Sequence, residues 1–238
     1  SSASGGGAYY GGNGIYKSID GGLSWDSLSV TATNTNGFDS DFDFIWNLET
    51  DSSNDSLDVV YAATYGSIYR SQDGGNSWIK ELGGGSAYYN NLEVTSSGTV
   101  YAALSSDGVD KGIWRSVDGQ NWVNITDANF PPVYGRIAIG INPSNEDEVY
   151  FLAAETDGYG QRTDVFFNGE AWTSLWKYNA SDSSWVDLSL NIPANQTTSF
   201  DNFNAQGGYD LLVSVNPTDP NTVYIGGTNL WRSSDGFT

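Results

Sequence analysis

One short unit recurs along this chain and constrains its architecture more than any other feature. Ile15-Tyr16-Lys17-Ser18-x-Asp20-Gly21-Gly22-x-x-Trp25 is followed by Ile68-Tyr69-Arg70-Ser71-x-Asp73-Gly74-Gly75-x-x-Trp78. Ile113-Trp114-Arg115-Ser116-x-Asp118-Gly119-x-x-Trp122 comes next, one residue shorter before its tryptophan. Leu230-Trp231-Arg232-Ser233-x-Asp235-Gly236 is the last copy. A further copy, Leu175-Trp176-Lys177-Tyr178 to Trp185, keeps the aromatic frame and has lost the serine and the aspartate. Asp20 and Asp73 are 53 residues apart, and Asp73 and Asp118 are 45 apart. Periods of this size belong to architectures in which each repeat is one small sheet that buries its faces against its neighbours.

The rest of the unit repeats as well. Val60-Tyr61, Val100-Tyr101, Val149-Tyr150 and Val223-Tyr224 each precede a copy, inside short β-branched and aromatic runs that suit a half-buried pleated surface. Upstream of them, Ile45–Glu49, Leu92–Thr95, Ile137–Ile141 and Leu211–Val215 are four more strand candidates. Two of these end in Asn-Pro, a stop because proline cannot donate to a ladder. The pattern predicts an antiparallel meander A-B-C-D in each repeat, with few helices, because no stretch sustains a 3.6-residue period. The expected repeats cover about 1–29 (partial), 44–82, 89–125, 136–188 and 210–238 (partial).

The Ser-x-Asp-Gly-x-x-Trp element is expected to join strand C to strand D. Serine and aspartate side chains bond to backbone groups a few residues on, and glycine supplies a positive φ. The aromatic ring then folds back on the blade. The motif resembles the Asp box of bacterial-neuraminidase-type repeats, a family of β-propellers that includes sialidases, sortilin-type receptors and xyloglucanases. The resemblance implies an all-β chain, a β-propeller of four-stranded antiparallel blades present as an open segment of a longer propeller. It implies structural roles for Ser18, Asp20, Trp25, Ser71, Asp73, Trp78, Ser116, Asp118, Trp122, Ser233 and Asp235. Segments such as Phe38-Asp39-Ser40-Asp41-Phe42-Asp43-Phe44 and Gly207-Gly208-Tyr209-Asp210-Leu211 also look like large secreted propellers of Bacteroidota exported by type IX secretion. That likeness implies an extracellular or cell-surface setting; the partial first and last repeats are expected to be completed by the remainder of the same polypeptide.

Composition removes many activities. The chain of 238 residues has no His and no Cys, which excludes a Ser-His-Asp triad, a thiol nucleophile, a disulfide and a zinc finger. Its 29 acidic against 9 basic residues give a net charge of −20, which opposes binding to nucleic acid. No apolar run approaches the ~20 residues that span a bilayer, so membrane insertion is not expected.

In a meander the connections alternate between two faces. A–B and C–D turns share one, and all the long loops fall on the other, where binding residues concentrate. That loop face carries Tyr9, Tyr10, Tyr134, Tyr159, Phe166, Phe167, Trp172, Phe200, Phe203 and Tyr209. The insertion from Glu155 to Ser174 gathers Tyr159, Arg162, Asp164, Phe166, Phe167, Glu170 and Trp172. It reads as an ordered loop without secondary structure, contributing to a groove for a glycan or a surface protein. Asp39, Asp41 and Asp43 alternate before a strand. In an extended segment their carboxylates would point the same way and suit Ca²⁺; no other cofactor is expected. The main functional expectation is a non-catalytic binding or scaffold module. The alternative is a sialidase-like or xyloglucanase-like glycoside hydrolase using paired carboxylates drawn from Asp157, Asp164, Glu170, Asp201 and Asp210.

Overall fold

The computed structural model describes residues 11–35, 37–164, 171–194 and 202–238. Among the described residues five antiparallel sheets follow one another along the chain. The first pairs β1 (Tyr16–Lys17) with β2 (Asp26–Ser27). The second runs β3 (Ile45–Asp51), β4 (Val59–Thr64), β5 (Ser67–Ser71), β6 (Ile79–Gly83). The third runs β7 (Asn90–Val94), β8 (Val100–Leu104), β9 (Gly112–Ser116), β10 (Trp122–Asn124). In the fourth, β11 (Ile137–Ile141) and β12 (Glu148–Ala154) lead to the long strand β14 (Ala171–Asn179). Its outer edge carries both β13 (Gln161–Asp164) and β15 (Ser184–Asp187). The last sheet is β16 (Leu212–Val215), β17 (Val223–Gly226), β18 (Leu230–Ser233). These are successive propeller blades, and their register repeats. Tyr61, Tyr101, Tyr150 and Tyr224 each stand opposite the Arg or Lys of their strand C, at Arg70, Arg115, Lys177 and Arg232.

The hydrophobic core lies between sheets. Val59, Tyr61, Ile68 and Leu92 pack between the second and third blades with Trp114 and Trp122. Tyr101, Ile113, Phe151 and Trp176 fill the next gap, and Tyr150, Leu175, Phe203 and Val223 the one after. The strand-C residue at Ile68, Ile113 and Leu175 is fully buried against the following blade. Its counterpart Leu230 is 68% exposed on the last sheet. On the first sheet Tyr16 and Trp25 are exposed, whereas their counterparts Tyr69 and Trp78 pack against Phe42 at 4.7 and 5.6 Å.

The C–D turns are closed by their own side chains. In the second blade Ser71 Oγ donates to Asp73 Oδ1 (2.8 Å) and accepts from Gly75 N (2.8 Å). Asp73 accepts from Ser77 N (2.8 Å) and Ser77 Oγ (2.6 Å). The same serine-to-aspartate bond joins Ser18 to Asp20, Ser116 to Asp118 and Ser233 to Asp235. The bonds from Ser77, then that from Ser71, hold the Asp73 carboxyl down at about 2. Asp73→Ala is therefore expected to lower the melting temperature by a few degrees and leave ligand binding on the opposite face unchanged, checked by calorimetry beside a binding titration.

Two of the turn glycines, Gly119 and Gly236, also make a blade-to-blade contact. A Cβ on Gly119 of the third blade would run into the Tyr61 hydroxyl of the second, and one on Gly236 of the last would meet Tyr150 of the fourth. Arg70 beside Tyr61 is buried and donates to Glu81 at 2.7 Å, and Arg115 Nε donates to the Tyr101 hydroxyl at 3.3 Å. Arg70 and Arg115 thus brace their own blades beside the repeat tyrosines.

Contrary to the expectation from sequence, the stretch from Glu155 to Ser174 is not a structureless loop over its described residues. Thr156 and Tyr159 close a turn, and β13 then pairs with β14 through Gln161–Thr173 and Arg162–Trp172. The insertion extends the third strand of its blade, because Trp172 and Thr173 continue the β-favouring run of β14.

Candidate functional site

Four connections on the loop face meet over the third and fourth blades. Tyr88 and Tyr89 come from the connection between β6 and β7, and Ser105 and Asp107 from that between β8 and β9. Val133, Tyr134 and Gly135 precede β11, and Glu155 follows β12. Together they line a cleft of about 320 Å³.

Hydrogen bonds set the cleft walls. Asp107 Oδ1 accepts from Ser105 Oγ (2.5 Å) and from Tyr88 N (3.3 Å). Tyr89 N donates to Ser105 Oγ (3.1 Å). Tyr134 N donates to Ser106 Oγ (3.0 Å), which donates back to Tyr134 O (2.7 Å), and the buried Tyr134 hydroxyl donates to Leu104 O (3.2 Å). Glu155 has a left-handed backbone with φ of 58°. A side chain held in that region marks a position over-determined by its surroundings. Gly135 lies so close that a Cβ there would strike the Glu155 carboxylate. Partial burial raises the Glu155 carboxyl from its ordinary value. Burial also raises the Tyr89 hydroxyl, with the Glu155 and Tyr88 charges adding to it. Behind the cleft, Arg136 Nη1 donates to Tyr209 O at 2.9 Å.

The cleft continues into a row of half-buried and exposed aromatic rings. Tyr88 and Tyr89 are 4.7 Å apart, Trp46 is 4.9 Å from Tyr89, and Tyr65 is 5.9 Å from Tyr88. Phe44 touches both Trp46 and Tyr88, and Phe38 packs edge-on against Phe44 (5.6 Å) and Tyr65 (4.8 Å). Trp46 Nε1 is locked to Tyr88 O at 2.6 Å. Aromatic faces, carboxylate acceptors and hydroxyls in one concavity suit a polyhydroxylated ligand, whose ring faces stack while its hydroxyls bond to acids.

The residues singled out from the sequence are only partly assembled here. Tyr159 is 48% exposed, and Arg162 and Trp172 face each other across β13 and β14. Asp164 ends β13, while Phe166, Phe167 and Glu170 lie outside the described residues. Tyr9, Tyr10, Phe200 and Asp201 also lie outside them. Tyr134 and Phe203 are buried and anchor their loops, and Tyr209 is 74% exposed. The acid triplet does not converge. A short 3-10 turn over Asp41–Asp43, capped by Ser40, replaces the extended segment. Asp39 accepts from Thr35 (2.7 Å). Asp41 accepts from Tyr69 (2.8 Å) and pairs with Lys80 (3.2 Å). Asp43 accepts from the backbone N–H of Asp39 and Ser40 (both 2.9 Å). Among the described residues no group of three or more acids is placed to hold a metal. Tyr88, Tyr89, Asp107 and Glu155 were not indicated by the sequence reading; the Tyr88-Tyr89 pair in a short connection was the available signal.

No protein-family model matches the chain, and no curated protein does. Solved structures do. The GH74 enzyme of Niastella koreensis is similar over 94% of this chain and 33% of its own, with a TM-score of 0.67 and 17% identity. The GH74 xyloglucanase from Xanthomonas campestris is similar over 93% of this chain and 33% of its own, with a TM-score of 0.60 and 16% identity. YCF48 bound to D1 peptide is similar over 93% of this chain and 57% of its own, with a TM-score of 0.51 and 16% identity. The chain spans about a third of the length of the two enzymes. Likeness at this identity establishes the fold, a run of β-propeller blades.

Proposed function

We infer that this chain is the carbohydrate-binding part of a secreted or cell-surface propeller of the Asp-box type, taking a glycan, free or borne on a surface protein, in the loop-face cleft. The observation that carries this is the meeting of Tyr88, Tyr89, Asp107 and Glu155 around one concavity with no basic side chain among its described lining residues. Neutral sugars are bound by such a set, because carboxylates accept from paired hydroxyls while aromatic faces cover the apolar side of the ring. The exposed faces at Leu230 and at Tyr16 and Trp25 repeat positions that are covered between blades elsewhere. We infer that further blades of the same repeat dock there.

A second reading, glycoside hydrolysis, is favoured by the presence of two carboxyls, Asp107 and Glu155, in the lining of one cleft. Asp107 is held by hydrogen bonds from Ser105 and Tyr88, and Glu155 by its left-handed backbone beside Gly135. A positioned carboxyl pair is what glycosidic cleavage uses. Calorimetric titration with neutral oligosaccharides, paired with an assay for reducing-end release, tests both. The binding reading expects affinity without release, and a loss of about tenfold or more in Glu155→Gln at unchanged melting temperature. Release that vanishes in Glu155→Gln favours the hydrolase. Absence of both binding and release overturns both.

A further inference from the structure

We propose that the ligand is an elongated neutral polysaccharide whose chain leaves the cleft and runs over the aromatic row of Tyr89, Tyr88, Trp46, Phe44, Tyr65 and Phe38. This rests on the cleft reading above and adds the size and charge class of the ligand. The six rings each lie within 4.7–6.3 Å of a neighbour and cross from the third blade onto the second, a surface longer than one sugar ring can cover. The rings hold one another in edge-on and tilted contacts, so little side-chain freedom remains to be lost on binding, which is the condition for a preorganised platform. The far end of the row is its most open part: Phe38 is 51% exposed, and the rings behind it are half-buried.

Charge selects the class of polymer. Asp107 and Glu155 at the cleft, and a net charge of −20, repel uronate-rich or sulfated chains. Among the described residues no basic side chain lines the cleft, and Arg136 behind it donates to the Tyr209 carbonyl, whereas a neutral glycan offers apolar ring faces to the aromatics and hydroxyls to the carboxylates. A monosaccharide or disaccharide would leave Phe38 and Tyr65 unused.

The test is calorimetric titration of the whole chain with neutral gluco- and xylo-oligosaccharides graded from disaccharide to hexasaccharide, with polygalacturonate as the anionic probe. Affinity is expected to climb with length. Phe38→Ala should weaken the longest oligomers about tenfold, leave the disaccharide unchanged and leave the melting temperature in place. Tyr65→Ala provides a second, independent loss on the same long oligomers. Affinity that is flat with length, or insensitive to both substitutions while Glu155→Gln still abolishes binding, overturns the extended track and leaves the cleft standing. Preference for polygalacturonate over the neutral oligomers overturns the neutral-polymer assignment. No binding to any of these sugars removes the cleft reading and the track together.

Discussion

Replacing Gly119 with alanine should destabilise the fold by about 2–4 kcal/mol. Two effects combine. The residue sits at φ of 70°, where a side chain is strained, and its Cβ would run into the Tyr61 hydroxyl. Tyr61 cannot yield easily, because it is 1% exposed and lies beside Arg70, whose guanidinium pairs with Glu81 at 2.7 Å. Denaturant unfolding measures the loss. A double variant with Tyr61→Phe, which removes the clashing oxygen, should recover part of it. If Gly119→Ala is as stable as the parent, the turn glycine is not a blade-to-blade contact.

The second large effect depends on pH. Glu93 lies on β7, near Glu49 of the neighbouring strand β3, and lines a cleft of about 430 Å³ with β11 and β16. Burial, then the Glu49 charge, raises its carboxyl from 4.5 to about 7. A raised carboxyl means that the folded state holds the proton longer than the unfolded state does. Its contribution is therefore fully present below about 4.5 and is lost as pH rises through about 7. Glu93→Gln removes the charged form, so it should stabilise the protein by about 1–3 kcal/mol at pH 8 and change little at pH 4. Melting curves across this range check the sign, and a variant less stable at pH 8 than the parent contradicts it.

The blades were legible in the sequence because each is a local object. The Val-Tyr pairs, the Ile-Tyr-Arg-Ser run and the aspartate turn lie within one repeat, and strand pairing follows their order. What failed or was missed depends on contacts across repeats or on competing local chemistry. Alternating acids at Asp39, Asp41 and Asp43 suggested an extended segment, but Ser40 and Asp43 form a capping box and wind it into a 3-10 turn. The long insertion drew attention through its length, yet β13 makes its first part an extension of the sheet. The cleft draws Tyr88, Asp107, Tyr134 and Glu155 from four connections, two of them short. Only the stacking of one blade on the next brings these residues together. The second role of Gly119 and Gly236 was hidden for the same reason, since the tyrosine each meets belongs to the preceding blade.

Hydrogen–deuterium exchange of the whole chain, with and without a neutral polysaccharide, addresses the central claim most directly. Sugar bound on the loop face should slow exchange in peptides containing Tyr88, Tyr89, Asp107, Tyr134 and Glu155, and leave the turns at Asp20, Asp73, Asp118 and Asp235 unchanged. Protection confined to those turns or to the inner strands around Glu93, or no protection at saturating polysaccharide, would contradict a carbohydrate site on this face.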